Sequence, residues 1–354
     1  MNPASIPVTR TNQSRLAEID FNRLEFGKNI SDHMLLCAWR NGKWHMPEIV
    51  PYGPISFTPA MLALHYGQAV FEGMKAFRMK EGSINLFRPY KHAERFNQSL
   101  KRMAMPVLDE DFFVNCLHAL VDVDRAWVPR EEGSSLYIRP VAFATEERLG
   151  LKVSEEYLFA ILTGPVGPYF NKPIRVKVED HYVRAAEGGT GYAKCAGNYG
   201  GAFYPTQLAR EAGYDQVLWT DAREHKFIDE SGAMNVMFVI NGKLITPQLT
   251  TAILDGVTRD SILTLAREEG ISVEERKISV EELAEAFKHG TITEAFGVGT
   301  AAVVAPIAVV SVHGRDYTLP PLQTGSVQER LKSKLHAIRL GYEPDRHGWN
   351  YIIK

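Results

Sequence analysis

The chain has 354 residues, 45% of them hydrophobic and 23% charged, which is the composition of a globular protein long enough for two domains. The formal net charge is −2 and the 11 histidines are scattered, so no basic stripe indicates a nucleic-acid partner. The three cysteines lack paired spacing, so we expect a reducing compartment and no metal centre. No apolar run approaches the ~20 residues of a membrane helix, and the first residues do not resemble a signal peptide. We therefore expect a cytoplasmic protein without a membrane partner.

Residues 1–163 alternate between strand-like and helix-like patterns, which predicts a small α+β domain. We expect strands at 34–39, 84–87, 136–144 and 157–162, and helices at 90–103 and 111–123. The next segment, 164–173, contains three prolines and two glycines. This composition predicts an interdomain loop, although an ordinary surface loop has the same composition.

Residues 174–354 restart the alternation and predict a larger second domain. We expect strands at 174–178, 216–220, 227–230, 234–240, 291–297 and 303–310, and helices at 202–211, 259–269 and 279–287. Asn241-Gly242 is a dipeptide typical of tight hairpin turns. Gly213 follows the first of these helices and is expected to end it. The whole chain is therefore expected to have an α+β fold of two domains.

Lys194 lies in a glycine-rich segment, 188–201, between Tyr192 and Tyr199. Because glycine has no Cβ, such a backbone can approach a large flat ligand closely. A partly desolvated lysine amine can lose its proton and attack a carbonyl to form a Schiff base. The alternative is a flexible surface loop that happens to contain a lysine.

Two further segments could bind an anion through backbone N–H groups. Residues 254–261 place a tight turn directly before a helix, whose N-terminus attracts a phosphate. Alternatively, Thr258 or Asp260 is a plain helix cap. Residues 297–302 follow a strand and could form a second anion-binding turn or a structural turn at the strand end.

Two charged residues lie in apolar surroundings. Arg139, two residues after Tyr137 on the same strand face, needs an anion or an internal carboxylate if it is buried. Glu230 precedes a strongly apolar strand and could hold a heteroaromatic nitrogen protonated, or could bind nearby backbone. Together with Lys194 and the two turns, these are the protein groups that pyridoxal phosphate requires.

The chain resembles the branched-chain aminotransferases within the fold-type IV pyridoxal-phosphate enzymes, over most of its length. The motifs that carry the resemblance are Tyr66–Phe77 (YGQAVFEGMKAF), Leu86–Phe96 (LFRPYKHAERF), Leu136–Val141 (LYIRPV), Gly188–Tyr199 (GGTGYAKCAGNY), Glu230–Val236 (ESGAMNV), Gly256–Asp260 (GVTRD) and Gly299–Ala301 (GTA). The resemblance implies a small N-terminal domain, a C-terminal pseudo-barrel of strands with helices, and a homodimer.

The resemblance also implies roles for individual residues. Lys194 would form the Schiff base with pyridoxal 5'-phosphate and move the proton, Glu230 would face the pyridine nitrogen, and Tyr199 would bind the phenolic oxygen. The phosphate would be bound by Arg95, by the backbone of Val257 and Thr258, and by Thr300. The substrate would contact Phe26, Tyr66, Phe71, Tyr137, Arg139, Tyr169 and Ala301.

The implied reaction transfers the amino group of leucine, isoleucine or valine to 2-oxoglutarate, with small amino acids and 2-oxo acids as the partners. The mammalian branch carries a Cys-x-x-Cys after the Gly-Thr-Ala turn, whereas Ala302 and Ala305 stand here, so thiol regulation of that kind is not expected. The alternatives are a D-amino-acid transaminase or aminodeoxychorismate lyase of the same fold, a catalytically idle cofactor-binding protein, and a cofactor-free aldolase.

Overall fold

A computed structural model describes residues 2–170 and 172–354 of the chain. In the described residues the strands are β1 (His33–Arg40), β2 (Lys43–Trp44), β3 (Glu48–Pro51), β4 (Ala69–Phe71), β5 (Met74–Arg78), β6 (Ile84–Phe87), β7 (Ser135–Ala144), β8 (Tyr157–Val166), β9 (Ile174–Val178), β10 (Gln216–Thr220), β11 (Ile228–Ser231), β12 (Asn235–Ile240), β13 (Lys243–Thr246), β14 (Val273–Glu275), β15 (Ile292–Gly299), β16 (Val303–Val312), β17 (Arg315–Thr318) and β18 (Asn350–Ile353). The helices are α1 (Leu62–Tyr66), α2 (Pro89–Arg102), α3 (Glu110–Val123), α4 (Gly197–Gly200), α5 (Phe203–Glu211), α6 (Val257–Glu268), α7 (Val280–Lys288) and α8 (Val327–Leu340). Both element types occur in both halves of the chain, so the α+β prediction is confirmed.

The described chain divides into two compact units that do not follow the sequence continuously. Unit 1 contains residues 2–169, 193–197 and 338–354, and unit 2 contains 170–192 and 198–337. The segment 193–197 therefore packs with the residues that precede it by about a hundred positions. The continuous domains expected at 1–163 and 174–354 stay a prediction, and Asn171 of the expected loop lies outside the described residues.

Unit 1 is built on one sheet, mostly antiparallel, in the order β18-β6-β5-β7-β8-β1-β2, with β3 on β1 and β4 on β7. Helices α2 and α3 cover it with an apolar face that includes Phe96 and Phe113, both almost fully buried. β8 runs four residues further than expected, to Val166, because 163–166 pair with 135–138 of β7. The first residues of the expected loop 164–173 are therefore strand.

Unit 2 is built on a second sheet in the order β11-β10-β9-β16-β15-β12-β13-β14, with β17 on β16. β9 pairs in parallel with both β10 and β16, which requires the long connections that α5 and the intervening loops supply. The hairpin between β12 and β13 turns at Asn241 and Gly242, both with positive φ, as the dipeptide predicts. Gly213, with φ of 86°, follows α5 as expected.

Candidate functional site

The backbone of Lys194 is hydrogen-bonded within unit 1. Its N–H donates to the hydroxyl of Ser99 on α2 at 2.8 Å, and its carbonyl accepts from the N–H of Phe71 at 3.0 Å. Cys195 forms a bridge with Val70 of β4. The flexible-loop alternative is therefore not supported for residues 194–196, whose backbone is hydrogen-bonded to β4.

The Lys194 amine lies over an aromatic ring. Its Nζ is 5.0 Å from the ring centroid of Phe71, and the guanidinium carbon of Arg139 is 4.6 Å from the same centroid. The face of an aromatic ring attracts cations, so Phe71 contacts both groups favourably. The structure thus brings an amine, an apolar wall and a guanidinium together, although they lie far apart in the sequence.

Arg139 is held by aromatic side chains. It donates from Nη2 to the hydroxyl of Tyr137 at 2.8 Å and lies 5.2 Å from the centroid of that ring. Its Nε is buried and has no hydrogen-bond partner in the described part of the chain. A half-buried guanidinium whose Nε–H is buried and unsatisfied suits a carboxylate ligand. The structure thus gives no support to the alternative of an internal acidic partner.

Tyr137 is the centre of an aromatic cluster in unit 1. Its ring packs edge to face with that of Phe26 at 4.8 Å between centroids, and Tyr169 packs on Phe26 at 5.0 Å. A Cβ on Gly73 would lie 2.2 Å from the Tyr137 hydroxyl, so only glycine leaves room for this ring. Tyr66 differs from the rest, because its hydroxyl donates to the carbonyl of Leu149.

Arg95 is paired with a buried glutamate that we did not single out from the sequence. It donates from Nε and Nη2 to the two oxygens of Glu72 at 2.7 and 2.8 Å. His92 donates from Nδ1 to the same carboxylate at 2.8 Å, and Glu72 is fully buried. Burial alone would raise the pKa of Glu72, but Arg95 and His92 outweigh it and hold that pKa well below its usual range. Glu72 is therefore a carboxylate with a paired charge.

Glu230 of unit 2 is also a buried carboxylate with an arginine beside it. It is 2% exposed, and its Oε1 accepts from the N–H of Leu254 at 2.6 Å. The Nε of Arg184 lies 3.3 Å from Oε2 but makes no hydrogen bond of good geometry in the described chain. Arg184 donates from Nη2 to the carbonyls of Gly191, at 3.2 Å, and Ala252. The structure shows a backbone contact of Glu230, with Leu254, whereas its expected role beside a heteroaromatic nitrogen stays a prediction.

The residues around Glu230 enclose a cavity. Tyr199, Arg184 and Glu230 line a space of about 500 Å³ together with residues of α5. Gly191 belongs to the glycine-rich segment, and a Cβ there would lie 2.3 Å from the carbonyl of Ala252. The tight approach at Gly191 is one physical reason for glycine in this segment.

Asp229 adds a second carboxyl group beside Glu230. Burial, and then the charge of Glu230, raise the pKa of Asp229 from 3.8 to about 7. The nearby Arg184 opposes this increase. Asp229 is consequently a group whose charge changes near neutral pH next to Glu230.

The first turn of α6 has the features of an anion site. The helix begins at Val257 after Gly256, which has no side chain to cap it. The alternative of a side-chain cap from Thr258 or Asp260 is therefore not supported, and both Val257 and Thr258 are buried, at 3% exposure each. Leu254, which binds Glu230, lies just before this turn, so the turn and the carboxylate belong to one local structure.

Thr300 and Ala301 lie in the turn between β15 and β16, as the sequence predicts. The next residue but one, Val303, has φ of 61°. This left-handed conformation is unfavourable for a β-branched side chain, so the turn stores backbone strain. Strain of this kind is common at ligand-binding turns.

Four residues of these contacts were not identified from the sequence: Glu72, His92, Ser99 and Arg184. A signal existed for Glu72, because it is a charged residue inside the apolar run 69–77. No local signal identifies the other three, since their roles depend on contacts with distant segments.

Comparisons with known proteins identify the family. The sequence pattern of the family "Amino-transferase class IV" matches residues 69–310. The branched-chain-amino-acid transaminase 1 of Bacillus subtilis (strain 168) is 45% identical over 339 residues, covering 94% of this chain and 95% of that protein.

Solved structures are similar as well. The branched-chain aminotransferase of Thermoproteus uzoniensis with norvaline has a TM-score of 0.74 at 28% identity, covering 90% of this chain and 100% of that one. The T.th. branched-chain amino acid aminotransferase complexed with N-(5'-phosphopyridoxyl)-L-glutamate has a TM-score of 0.71 at 25% identity, covering 89% of this chain and 97% of that one. The protein therefore belongs to the class IV aminotransferase family.

Proposed function

We propose that this protein is a pyridoxal-phosphate-dependent transaminase that moves the amino group of L-leucine, L-isoleucine or L-valine to 2-oxoglutarate. The products are branched 2-oxo acids and L-glutamate, formed by ping-pong kinetics because one site serves both half-reactions. The observation that carries the proposal is the Lys194 amine over Phe71, with Arg139 on the same ring. The 45% identity to a branched-chain transaminase supports it.

The residues of the chain fit the cofactor. Glu230 is a buried carboxylate whose charge Arg184 balances, which suits a protonated ring nitrogen. Tyr199 lines the same cavity and suits the phenolic oxygen. The uncapped first turn of α6, with Val257 and Thr258, suits a phosphate. Arg95 and Thr300 are the further phosphate ligands that the family resemblance implies.

Lys194 is the proposed general base and acid. When bound, pyridoxal phosphate supplies an electron-withdrawing ring that stabilises negative charge at the substrate Cα. The Lys194 amine would take the proton from the substrate Cα and hold it for the return transfer. Its backbone contacts with Ser99 and Phe71 fix where the side chain starts.

One pocket would accept two kinds of substrate side chain. Phe26 and Phe71 would offer an apolar wall to a branched aliphatic chain, and Tyr66 and Tyr169 are the further substrate contacts that the resemblance implies. Arg139, with its buried Nε and its Tyr137 contact, offers a cation to the second carboxylate of glutamate. The substrate α-carboxylate would bind the backbone N–H groups of Thr300 and Ala301.

The assembly is proposed to be a homodimer. Leu149, Leu151 and Val153 of unit 1 are 74%, 80% and 53% exposed, and Leu64 is 66% exposed. Exposed apolar groups at this density favour an interface. Light scattering of the purified protein should give twice the mass of the 354-residue chain. A monomer at micromolar concentration would contradict the proposal.

The cellular compartment is proposed to be the cytoplasm. All three cysteines are unpaired and buried, which suits a reducing environment. No helix of the described residues has the length and apolar character needed to cross a membrane.

Substitution of the lysine tests the proposed function. We expect Lys194→Ala to lower amino transfer from L-leucine to 2-oxoglutarate by more than about 10³-fold, because the amine of Lys194 is the group proposed to move the proton. The visible absorbance of the bound cofactor should be lost as well. Lys194→Arg is the matched control that keeps the charge without the nucleophilic amine, and full turnover by either variant contradicts the assignment.

A substrate panel separates the alternatives within the fold. L-leucine should change the cofactor absorbance in a single half-reaction, whereas D-alanine should not. A response to D-alanine alone would favour a D-amino-acid transaminase. A bound cofactor that no amino acid alters would favour an idle binding protein.

A further inference from the structure

We propose that Glu72 is a positioning residue for the cofactor phosphate, because it fixes the orientation of the Arg95 guanidinium. This inference rests on the proposed function, in which Arg95 binds that phosphate. Glu72 is separated from the phosphate by the arginine and acts only through it.

The contact between the two side chains fixes a plane. Nε and Nη2 of Arg95 each donate to a different oxygen of Glu72, at 2.7 and 2.8 Å. A guanidinium and a carboxylate joined by two parallel bonds become coplanar, so rotation about the last side-chain bonds of Arg95 is restricted. These two bonds are made by Nε and Nη2. Because the guanidinium is planar, they also set the direction of Nη1. Arg95 and Glu72 are 7% and 0% exposed, so water does not compete for the pair.

His92 fixes the carboxylate in turn. Its Nδ1 lies 2.8 Å from Oε2 of Glu72 and donates to it, and the N–H of Gly73 lies 3.1 Å from the same oxygen. His92 and Arg95 are three residues apart on α2, so both side chains lie on one helix face. Glu72 is therefore held by two groups that do not depend on Arg95. An orientation imposed from both sides is typical of supporting residues in binding sites.

Residues 71–73 make contacts on two different sides of the chain. Phe71 contacts Lys194 and Arg139, Glu72 contacts Arg95, and Gly73 leaves space for the Tyr137 ring. Neighbouring residues of an extended chain alternate between its two sides. On one side this tripeptide thus contacts Lys194 and Arg139, and on the other side it supports Arg95.

A carboxylate beside an arginine could instead act only by its charge. The negative charge of Glu72 weakens the attraction between Arg95 and a phosphate. If this were its only effect, removing the charge should tighten cofactor binding. Orientation alone predicts the opposite, because a guanidinium that can rotate loses affinity for a phosphate in one fixed place. The two effects therefore differ in sign.

Two variants separate these effects. Glu72→Asp keeps the charge but withdraws the carboxylate by about one methylene, whereas Glu72→Gln keeps the shape but removes the charge. The protein is freed of cofactor, and the Kd of pyridoxal 5'-phosphate and of pyridoxal, which lacks the phosphate, is measured by titration. The ratio of the two constants isolates the phosphate contribution.

We expect Glu72→Asp to reduce the preference for pyridoxal 5'-phosphate over pyridoxal by about 10-fold or more, which corresponds to one charge-assisted hydrogen bond. Glu72→Gln should reduce it by about 3-fold or more, because the amide offers one acceptor oxygen in place of two. A preference equal to that of the unaltered chain in Glu72→Asp, or a higher preference in Glu72→Gln, overturns the proposal.

A matched control removes a different buried carboxylate of unit 1. Asp124 is 3% exposed and pairs with His33 at 2.6 Å, so Asp124→Asn should lower the Tm without changing the preference. Circular dichroism confirms that each cofactor-free variant is folded, and Glu72→Asp serves if Glu72→Gln does not fold. If the unaltered chain does not bind pyridoxal 5'-phosphate, the proposed function fails and this inference fails with it. If it binds and Glu72→Asp binds equally well, only the inference fails.

Discussion

Glu72 of unit 1 and Glu230 of unit 2 are both buried glutamates beside an arginine. The two pairs differ in which side chain positions the other. Glu72 binds Arg95 through two short hydrogen bonds, so the carboxylate holds the cation. Glu230 is bound by the N–H of Leu254, and the guanidinium of Arg184 lies further away, at 3.3 Å. Arg184 is anchored on two backbone carbonyls, so here the cation supports the carboxylate.

This difference shows which partner of each pair is proposed to meet the cofactor. In the first pair several donors fix the carboxylate of Glu72, and the arginine is the member proposed to bind the phosphate. Where backbone groups anchor the arginine, the carboxylate takes that role. The other hydrogen-bond partners of each residue in a buried ion pair therefore say more about which residue contacts a ligand than the ion pair itself does.

Among the substitutions that test this comparison, Glu230→Gln is expected to have the largest effect on activity. An amide cannot hold a ring nitrogen protonated, so kcat for L-leucine should fall by about 10²–10³-fold. The preference for pyridoxal 5'-phosphate over pyridoxal should stay unchanged, in contrast to Glu72→Asp. Steady-state kinetics and the two titrations measure both. A changed preference with intact kcat would break the comparison.

The intermediate effect is that of Arg184→Lys. A lysine keeps the charge near Glu230 but lacks the planar fork that reaches two carbonyls and the carboxylate together. We expect kcat to fall by about 10-fold, less than in Glu230→Gln, with the phosphate preference unchanged. Arg210, exposed on α5 and lining the same cavity, provides the control Arg210→Lys, which should leave kcat unchanged. Equal losses in both variants would contradict a specific role for Arg184.

The smallest effect concerns the stability of unit 2. Because burial, and then Glu230, raise the pKa of Asp229 to about 7, the folded chain retains a proton that the unfolded chain releases above about pH 4. The stability of the unaltered chain should therefore fall between about pH 4 and pH 7 on account of this group. Asp229→Asn avoids the cost and should be more stable above pH 7, by on the order of 1–2 kcal/mol, and equally stable near pH 4.

Urea unfolding at both pH values measures this difference. Asp221→Asn is the contrasting variant, since the pKa of Asp221 is lowered by four backbone N–H groups that outweigh its burial. It should destabilise the protein at neutral pH. A stability of Asp229→Asn that is independent of pH relative to the unaltered chain would show that Asp229 does not titrate in this range.

The regular elements could be predicted where the pattern of side chains is local. The strand at 84–87 and the strands β9 and β10 have the predicted bounds, and α3 differs from its prediction by one residue. Strands β4 and β18 were not predicted, because each is paired with a strand that is distant in the sequence. Their pairing with β7 and β6 decides their conformation.

The sequence by itself determined the residue types that the chemistry needs, because lysine, glutamate, arginine and glycine at these positions carry that information in their side chains. It also identified the family, through motifs spread over the chain. Only the tertiary structure decided that Lys194 packs against Phe71, that Glu72 supports Arg95, and that Arg184 lies beside Glu230. Each of these contacts joins segments that are distant in the sequence, and hydrogen bonds and ring contacts between such segments depend on the packing of the sheets and helices, which no local pattern encodes.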